Sequence, residues 1–390
     1  MMSKLSFRKQ LKCLCSVAVA GCLTACGGGG SSPPPETEAP PPPVAAPPTT
    51  PGVQASGAVL LQASNADDYG DAVMLELESG EQRLLPRSDI ATAHTEKVDA
   101  WYASTFPEST ADLVRVDDLG NVDFFDRDTG TRTGGFSIDS LAGTDLPEIY
   151  GPVKPSPDGR YLLTYFKANY RQDNPVITVF DRDGNVVESG SQFSYDRYDH
   201  RSALDWLPDG RYVYLAGPKI VVTTIGGDTL QVADLVLPPN ASTEGATLRI
   251  GPDGLRMLMS VPVVLPDAGG VEMNYSLLYT ANIDGGDLRQ LTALTDEVQA
   301  EGGRLYHSNA TWSPDGEMVA FVVQESDAHG APFFRNGCPY VLVVPSDGEQ
   351  IEIDGFNDPE SYKMFTTGAA ASAHEALRAC SSVSMSWMND

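Results

Sequence analysis

Short apolar runs separated by turn residues fill the chain from residue 57 onward. Four of these runs, "YLLTYF" (161–166), "YVYLAG" (212–217), "LRMLMSV" (255–261) and "MVAFVV" (318–323), follow a Pro-Asp-Gly triplet whose proline stands at 157, 208, 252 and 314. Proline presets the first corner of a turn, aspartate suits the second and glycine accepts the left-handed exit, so each triplet predicts a tight turn feeding a strand. Between the triplets lie segments built as apolar run, Asp/Gly tip and more polar run, which reads as a hairpin. They fall at 72–85, 121–138, 175–189, 219–232, 277–292 and 340–353.

Strand, Pro-Asp-Gly turn, strand and hairpin together make four antiparallel strands in about 50 residues, the size of one β-propeller blade. A degenerate turn at Phe106-Pro107-Glu108-Ser109 supplies another unit, and the C-terminal "SVSMSWMND" carries Ser386-Trp387 where other units have Ser or Trp before the turn. The count predicts an all-β, six-bladed propeller, with seven blades as the alternative. Residues 57–86 supply three strands without a preceding turn motif, so the first blade is expected to take its inner strand from the C-terminus. Pairing the two chain ends in one blade removes an exposed sheet edge.

"WSPDGEMVAFVV" (312–323) and "ANIDGGDLRQLT" (281–292) resemble the repeat of the TolB-type propellers, and the likeness covers residues 57–390. It implies a propeller working in the cell envelope as a protein-binding module. This chain departs from the family's namesake in having no α/β domain before the propeller.

The start of the chain follows other rules. Lys4, Arg8, Lys9 and Lys12 precede the apolar "CLCSVAVAGCLTA" (13–25), too short to span a bilayer as a stable helix, which reads as an export signal over 1–25. It ends in Leu23-Thr24-Ala25-Cys26, which resembles the bacterial lipobox and predicts acylation (palmitate among the chains) at Cys26. Gly27, not Asp, points to the outer membrane with the protein facing the periplasm. Residues 26–56 are Gly/Ser-rich and then Pro-rich, a disordered tether that favours extended polyproline backbone.

Composition narrows the partners. The formal net charge is −27, and so acidic a surface disfavours nucleic acid and anionic membrane faces; contact with membrane is expected through the lipid anchor alone. Six cysteines are present, four of them before residue 27, leaving Cys338 and Cys380 as an expected disulfide in an oxidising compartment.

Candidate chemistry is sparse. The chain holds no Gly-x-Ser-x-Gly elbow, P-loop, His-Glu-x-x-His or Cys-x-x-Cys. His94, His200, His307, His329 and His374 are scattered without ligand spacing. Asp126-Arg127-Asp128 and Asp181-Arg182-Asp183-Gly184 open like a calcium loop but lack its distal Glu, so turn chemistry accounts for them. Tyr195–His200 is a polar-aromatic loop cluster, and "AAASAHEALRA" (369–379) has helix propensity. No catalytic residue, cofactor or metal is assigned. The expected function is a non-catalytic platform for another envelope protein. The alternative is a polysaccharide lyase or hydrolase, or a protein binding a glycan or small ligand in the central channel.

Overall fold

The computed structural model describes residues 57–62, 72–78, 82–84, 100–102, 112–116, 120–126, 129–138, 148–167, 176–192, 203–227, 229–296, 304–326, 340–347, 350–353, 363–365 and 385–388. Within these, alternating and fully apolar runs become strands in chain order. The first sheet contains β1 (Ala58–Gln62), β2 (Ala72–Glu76) and β3 (Gln82–Leu84). The second holds β4 (Ala100–Tyr102), β5 (Leu113–Val116), β6 (Asn121–Phe125) and β7 (Arg132–Ser137). The third holds β8 (Glu148–Pro155), β9 (Tyr161–Lys167), β10 (Val176–Asp181) and β11 (Val186–Gln192). The fourth holds β12 (Leu204–Trp206), β13 (Tyr212–Ala216), β14 (Lys219–Thr223) and β15 (Thr229–Asp234).

The remaining strands are β16 (Thr247–Ile250), β17 (Arg256–Pro266), β18 (Glu272–Asn282), β19 (Arg289–Gln290) and β20 (Thr292–Leu294). They are followed by β21 (Arg304–Trp312), β22 (Met318–Ser326), β23 (Tyr340–Pro345), β24 (Ile351–Ile353), β25 (Lys363–Phe365) and β26 (Met385–Met388). Within each of the second, third and fourth sheets the strands are antiparallel and follow chain order from one edge to the other. Their first strands lie side by side across sheets, β4 against β8, β8 against β12, β12 against β16, β16 against β21 and β21 against β26. Antiparallel sheets joined at their inner strands in this way are a β-propeller, an all-β fold. The C-terminal β26 pairs antiparallel with β1, Leu60 opposite Ser386 and Val59 opposite Trp387, so the two ends of the fold share a sheet.

Two departures from the sequence reading have physical causes, strand length in the first and burial in the second. The described residues form four sheets of four strands and one of eight, beside a two-stranded pair. β17 and β18 are 11 residues each and β21 and β22 are 9, so they run past the ends of the shorter strands elsewhere. The overshooting parts meet at one parallel pair, Ser276 opposite Tyr306, which fuses β16–β19 with β21, β22, β23 and β25. The second departure is the hairpin expected at 340–353. β23 pairs with β25 instead, while β24 leaves to pair parallel with β20. Ile351 and Leu291 are both buried there, and the Ile351 amide donates to the Leu291 carbonyl at 2.9 Å.

The Pro-Asp-Gly turns form as read. Each glycine has positive φ, between 68° and 85°. The aspartate carboxylate accepts from the backbone two residues on, as Asp158 does from Arg160, Asp209 from Arg211 and Asp315 from Glu317. Successive turns nest. A Cβ on Gly254 would lie 2.9 Å from Pro208 Cδ, and one on Gly316 would lie 3.1 Å from Pro252 Cγ, so only glycine lets the neighbouring proline approach. One turn is tighter than the rest. Trp206 stands opposite Tyr212, six residues on, whereas Pro155, Ile250 and Trp312 stand opposite residues seven on.

The core lies between sheets. Val59, Leu75, Trp312, Phe321, Leu342 and Trp387 cluster where the first sheet meets the fused sheet. Leu163, Val179, Trp206, Val213, Met257 and Tyr279 cluster across the third, fourth and fused sheets. Trp206, Trp312 and Trp387, one on each of three inner strands, are each 1% exposed.

Candidate functional site on the innermost strands

Side chains alternate faces along a strand, so neighbours in sequence on an inner strand serve different neighbouring sheets. Counting back from each turn proline, the second residue reaches toward the preceding sheet. Trp206 Nε1 donates to the Lys154 carbonyl at 2.7 Å, and Trp312 Nε1 donates to the Arg249 carbonyl at 3.2 Å. The third residue back reaches forward. Asp205 Oδ2 accepts from the Ile250 amide at 3.0 Å, and Thr311 Oγ1 accepts from the Trp387 amide at 3.4 Å. Lys154 occupies this third position on β8, and its ammonium lies 3.8 Å from Asp205 Oδ1.

Lys154, Asp205, Arg249 and Thr311 thus hold one register position on β8, β12, β16 and β21. Bulges precede two of them. The ladder slips between Tyr150 and Lys154 and again between Ser308 and Thr311, where Asn309 adopts a φ of 53°. Such slips re-aim the side chain that follows. The Lys154 and Asp205 side chains are each 5% exposed. Burial drives the Lys154 pKa down to about 7; the Arg249 charge lowers it as well, and Asp205 pulls the other way. Asp205 is itself occupied, since Oδ1 accepts from the Trp206 amide at 3.1 Å and Oδ2 from Ile250.

A second locus lies on the outer strands of the third and fourth sheets. Glu188 on β11 accepts from Tyr212 Oη at 2.8 Å and from the Gly226 amide at 2.9 Å, which ties the two sheets together. Burial raises the Tyr212 phenol well above its ordinary pKa, and the Glu188 hydrogen bond raises it further. Flanking this tie, Val186 and Val187 on β11 are 47% and 43% exposed, Leu230 and Val232 on β15 are each 54% exposed, and Val236 is 76% exposed.

The residues singled out in the sequence fare differently. Asp126 and Asp181 serve their own turns, Asp126 accepting from the Thr129 amide and Asp181 from the Asp183 and Asn185 amides. His307 is on β21. Cys26, Cys338, Cys380, His94, His200, His329, His374, the Tyr195–His200 cluster, the stretch 369–379 and the whole of 1–56 lie outside the described residues. Among the described residues no three His, Cys, Asp or Glu side chains converge as they would on a metal ion. Lys154, Asp205 and Arg249 escaped the sequence reading. Their signal was present, three charged residues each three positions before a turn proline, but only the folded register gives that spacing meaning.

No protein-family model and no curated protein matches this chain. Among solved structures, it is similar to the Cps50 (Swd1) β-propeller domain of Myceliophteria thermophila, at 12% identity over 76% of this chain and 96% of that one, with a TM-score of 0.37. It is also similar to a protein of unknown function from Bacteroides caccae, at 13% identity over 72% of this chain and 93% of that one, with a TM-score of 0.38.

Proposed function

We propose that this chain is a lipoprotein of the bacterial envelope, anchored through Cys26, whose TolB-like propeller binds another envelope protein and carries out no reaction of its own. The observation that carries this reading is the set of exposed apolar residues on β11 and β15. Val186, Val187, Leu230 and Val232 sit on the outer strands of two sheets that Glu188 holds together. Outer edge strands ordinarily carry charge or proline against unwanted pairing, and apolar residues there suit a partner's surface. Our reading of the ring is six blades, supported by the fused sheet's two antiparallel ladders, which among the described residues pair with each other only at Ser276 and Tyr306. A lipid-anchored propeller on a Pro-rich tether would face the periplasm and reach on the order of 90 Å from the bilayer.

The test is site-specific photocrosslinking in native envelopes, with the crosslinking residue placed at Val232 and, as control, at Leu255, an exposed apolar residue of the β16–β17 turn. A single envelope protein captured from Val232, and lost in the Leu230→Asp, Val232→Asp double variant, supports the platform. Equal capture from both positions, or capture unaffected by the double variant, refutes it. Radiolabelled palmitate incorporated by the natural chain and not by Cys26→Ser tests the anchor separately. The charged residues on the inner strands favour a second reading, a small ligand held in the channel.

A further inference from the structure

We propose that the outer edge of β15 takes an extended segment of the partner protein as an added strand, apolar at alternate positions and flanked by basic residues. The proposal rests on the protein-binding reading above and adds the form in which the partner binds. One bond fixes which way the backbone of β15 points. The Leu235 amide donates inward to the Pro218 carbonyl at 2.8 Å, one step beyond the pair Asp234–Lys219. Backbone groups alternate sides along an antiparallel ladder, so Ala233 and Gln231 also turn theirs toward β14. Val232 and Asp234 turn their N–H and C=O outward, and among the described residues no strand pairs with that side. Gly285 of the β18–β19 turn covers the Asp234 carbonyl, since a Cβ on it would lie 2.2 Å from that oxygen. The N–H and C=O of Val232 and the N–H of Asp234 remain, at the spacing with which another strand's backbone pairs.

Every sheet of a propeller has an outer edge, and natural edges are blunted by brevity, charge or irregular pairing. β3 is three residues long, β7 opens on the exposed Arg132, and the pairing of β11 slips register twice. β15 slips once, beside Thr229, and then runs regularly from Gln231 to Asp234. Its one charge, Asp234, is answered by Lys219 at 2.6 Å. Gln231 faces the fused sheet, where its Nε2 donates to the Ile283 carbonyl at 3.1 Å. Val232 therefore faces the other way and stands exposed, with Leu230 exposed near it. An apolar side chain beside open backbone groups suits a strand whose own apolar residues alternate.

Charge selects among strands. In the turn that borders the edge Arg289 answers Asp287, whereas Asp284 there and Glu188 on β11 have no salt bridge among the described residues. With a net charge of −27 on the whole chain, basic residues beside the apolar ones are favoured. A second copy of the chain would bring the same charge to the same edge, and is disfavoured for that reason.

The experiment uses the full chain and a capped, fluorescent peptide, Lys-Val-Thr-Val-Thr-Val-Lys. One control is N-methylated through its core, and another has glutamate for lysine. The readouts are affinity by fluorescence anisotropy and hydrogen exchange at the Val232 and Asp234 amides. The expected result is that the parent peptide binds and slows exchange at both amides. The N-methylated control should bind at least about tenfold more weakly, since it loses backbone hydrogen bonds, and the acidic control should bind more weakly than the parent. Val232→Pro removes an outward N–H that an edge strand can spare, so it should weaken binding about fivefold at an unchanged melting temperature. Val232→Ile keeps the backbone and should bind as the natural chain does. The proposal is overturned if the parent peptide does not bind, if the N-methylated control binds equally, or if exchange at both amides is unmoved. A dimer of the chain that Val232→Pro dissolves overturns it in favour of a second copy. Envelope capture from Val232 without peptide binding leaves the platform standing and removes strand addition. Peptide binding without capture does the reverse.

Discussion

The indole N–H of Trp312 on β21 donates to the backbone carbonyl of Arg249 on β16 at 3.2 Å, reaching from one inner strand to the one before it. Trp206 on β12 makes the same bond to Lys154 on β8, at 2.7 Å. The residue just before each tryptophan points the other way, Asp205 to the Ile250 amide and Thr311 to the Trp387 amide. Each inner strand therefore holds its predecessor with a ring and its successor with a polar side chain, which follows from two-residue alternation in a strand.

Replacing Trp206 or Trp312 by phenylalanine keeps most of the buried ring and removes the donor. A buried carbonyl left without its partner costs about 1–3 kcal/mol. Each variant should lose stability in that range, read from the shift of its urea midpoint at unchanged slope. Trp206→Phe should lose the more, because its bond is the shorter and its ring is also stacked edge-on to Tyr212 at 5.9 Å. A loss near zero would show that the indole bond is not what joins the strands.

What was legible in the chain was local. Pro157-Asp158-Gly159 and its three counterparts are self-contained turns, so their fold follows from the φ preferences of three residues and an aspartate that bonds its own backbone. The Ser386-Trp387 echo at the C-terminus pointed to the pairing of β26 with β1 for the same reason, since it repeats the local signature of an inner strand. Pairings decided at a distance were not legible. β24 carries an ordinary hairpin pattern, yet Ile351 finds Leu291, some sixty residues earlier, because both are buried between sheets. The run "LRMLMSV" announced a strand, but the pairing of its partner β18 with β21 depends on how far these strands overshoot their neighbours. Lys154, Asp205 and Arg249 were overlooked for the same cause. They come from three strands, and nothing near any one of them in sequence signals the other two.

The joined chain ends give the second prediction. β26 contributes four residues, and through them Trp387, 1% exposed, packs into the cluster that also holds Trp312 and Leu75. Trp387→Ala should cost about 3–5 kcal/mol, the range for emptying a buried aromatic site. Ending the chain before residue 385 should cost at least as much, since it also bares the edge of β1. Differential scanning calorimetry of both variants checks this; a melting temperature unmoved by the truncation would mean that β26 adds nothing to the ring.

Two glycines separate backbone strain from steric conflict. Gly285 and Gly210 have nearly the same φ, 84° and 85°. A Cβ on Gly285 would lie 2.2 Å from the Asp234 carbonyl oxygen of β15, while one on Gly210 meets nothing within 4 Å. Gly210→Ala should therefore cost only the left-handed strain, about 1–2 kcal/mol. Gly285→Ala should cost more, because a backbone carbonyl in the adjacent sheet must move. Equal losses in chemical denaturation would mean that the β18–β19 turn and β15 are farther apart in solution.

Lys154 sets a pH dependence of stability with the same sign as that of the turn aspartates but in a separate, alkaline window. Burial raises Asp209 and Asp253, but hydrogen bonds from Arg211 to the first, and from the Leu255 amide and Arg256 to the second, outweigh it and hold both carboxyls below the ordinary value of 3.8. Their contribution is present above that value and is lost as pH falls through the lower folded pKa. The Lys154 pKa is lowered too, but here because the charged form is penalised, by burial first and by Arg249 second, from 10.5 to about 7. Below 7 the ammonium is charged in both the folded and unfolded chain, and its burial destabilises the fold in full. Between 7 and 10.5 the unfolded chain binds the extra proton, so stability climbs with pH across that window. Lys154→Met removes the buried charge and fits the same linear space, while Asp205 keeps its two amide donors. The variant should unfold at a higher urea concentration than the natural chain near pH 6 and lose the rise above pH 7, the two converging toward pH 10. A variant less stable than the natural chain at every pH would mean that the pair with Asp205 outweighs the burial of the lysine.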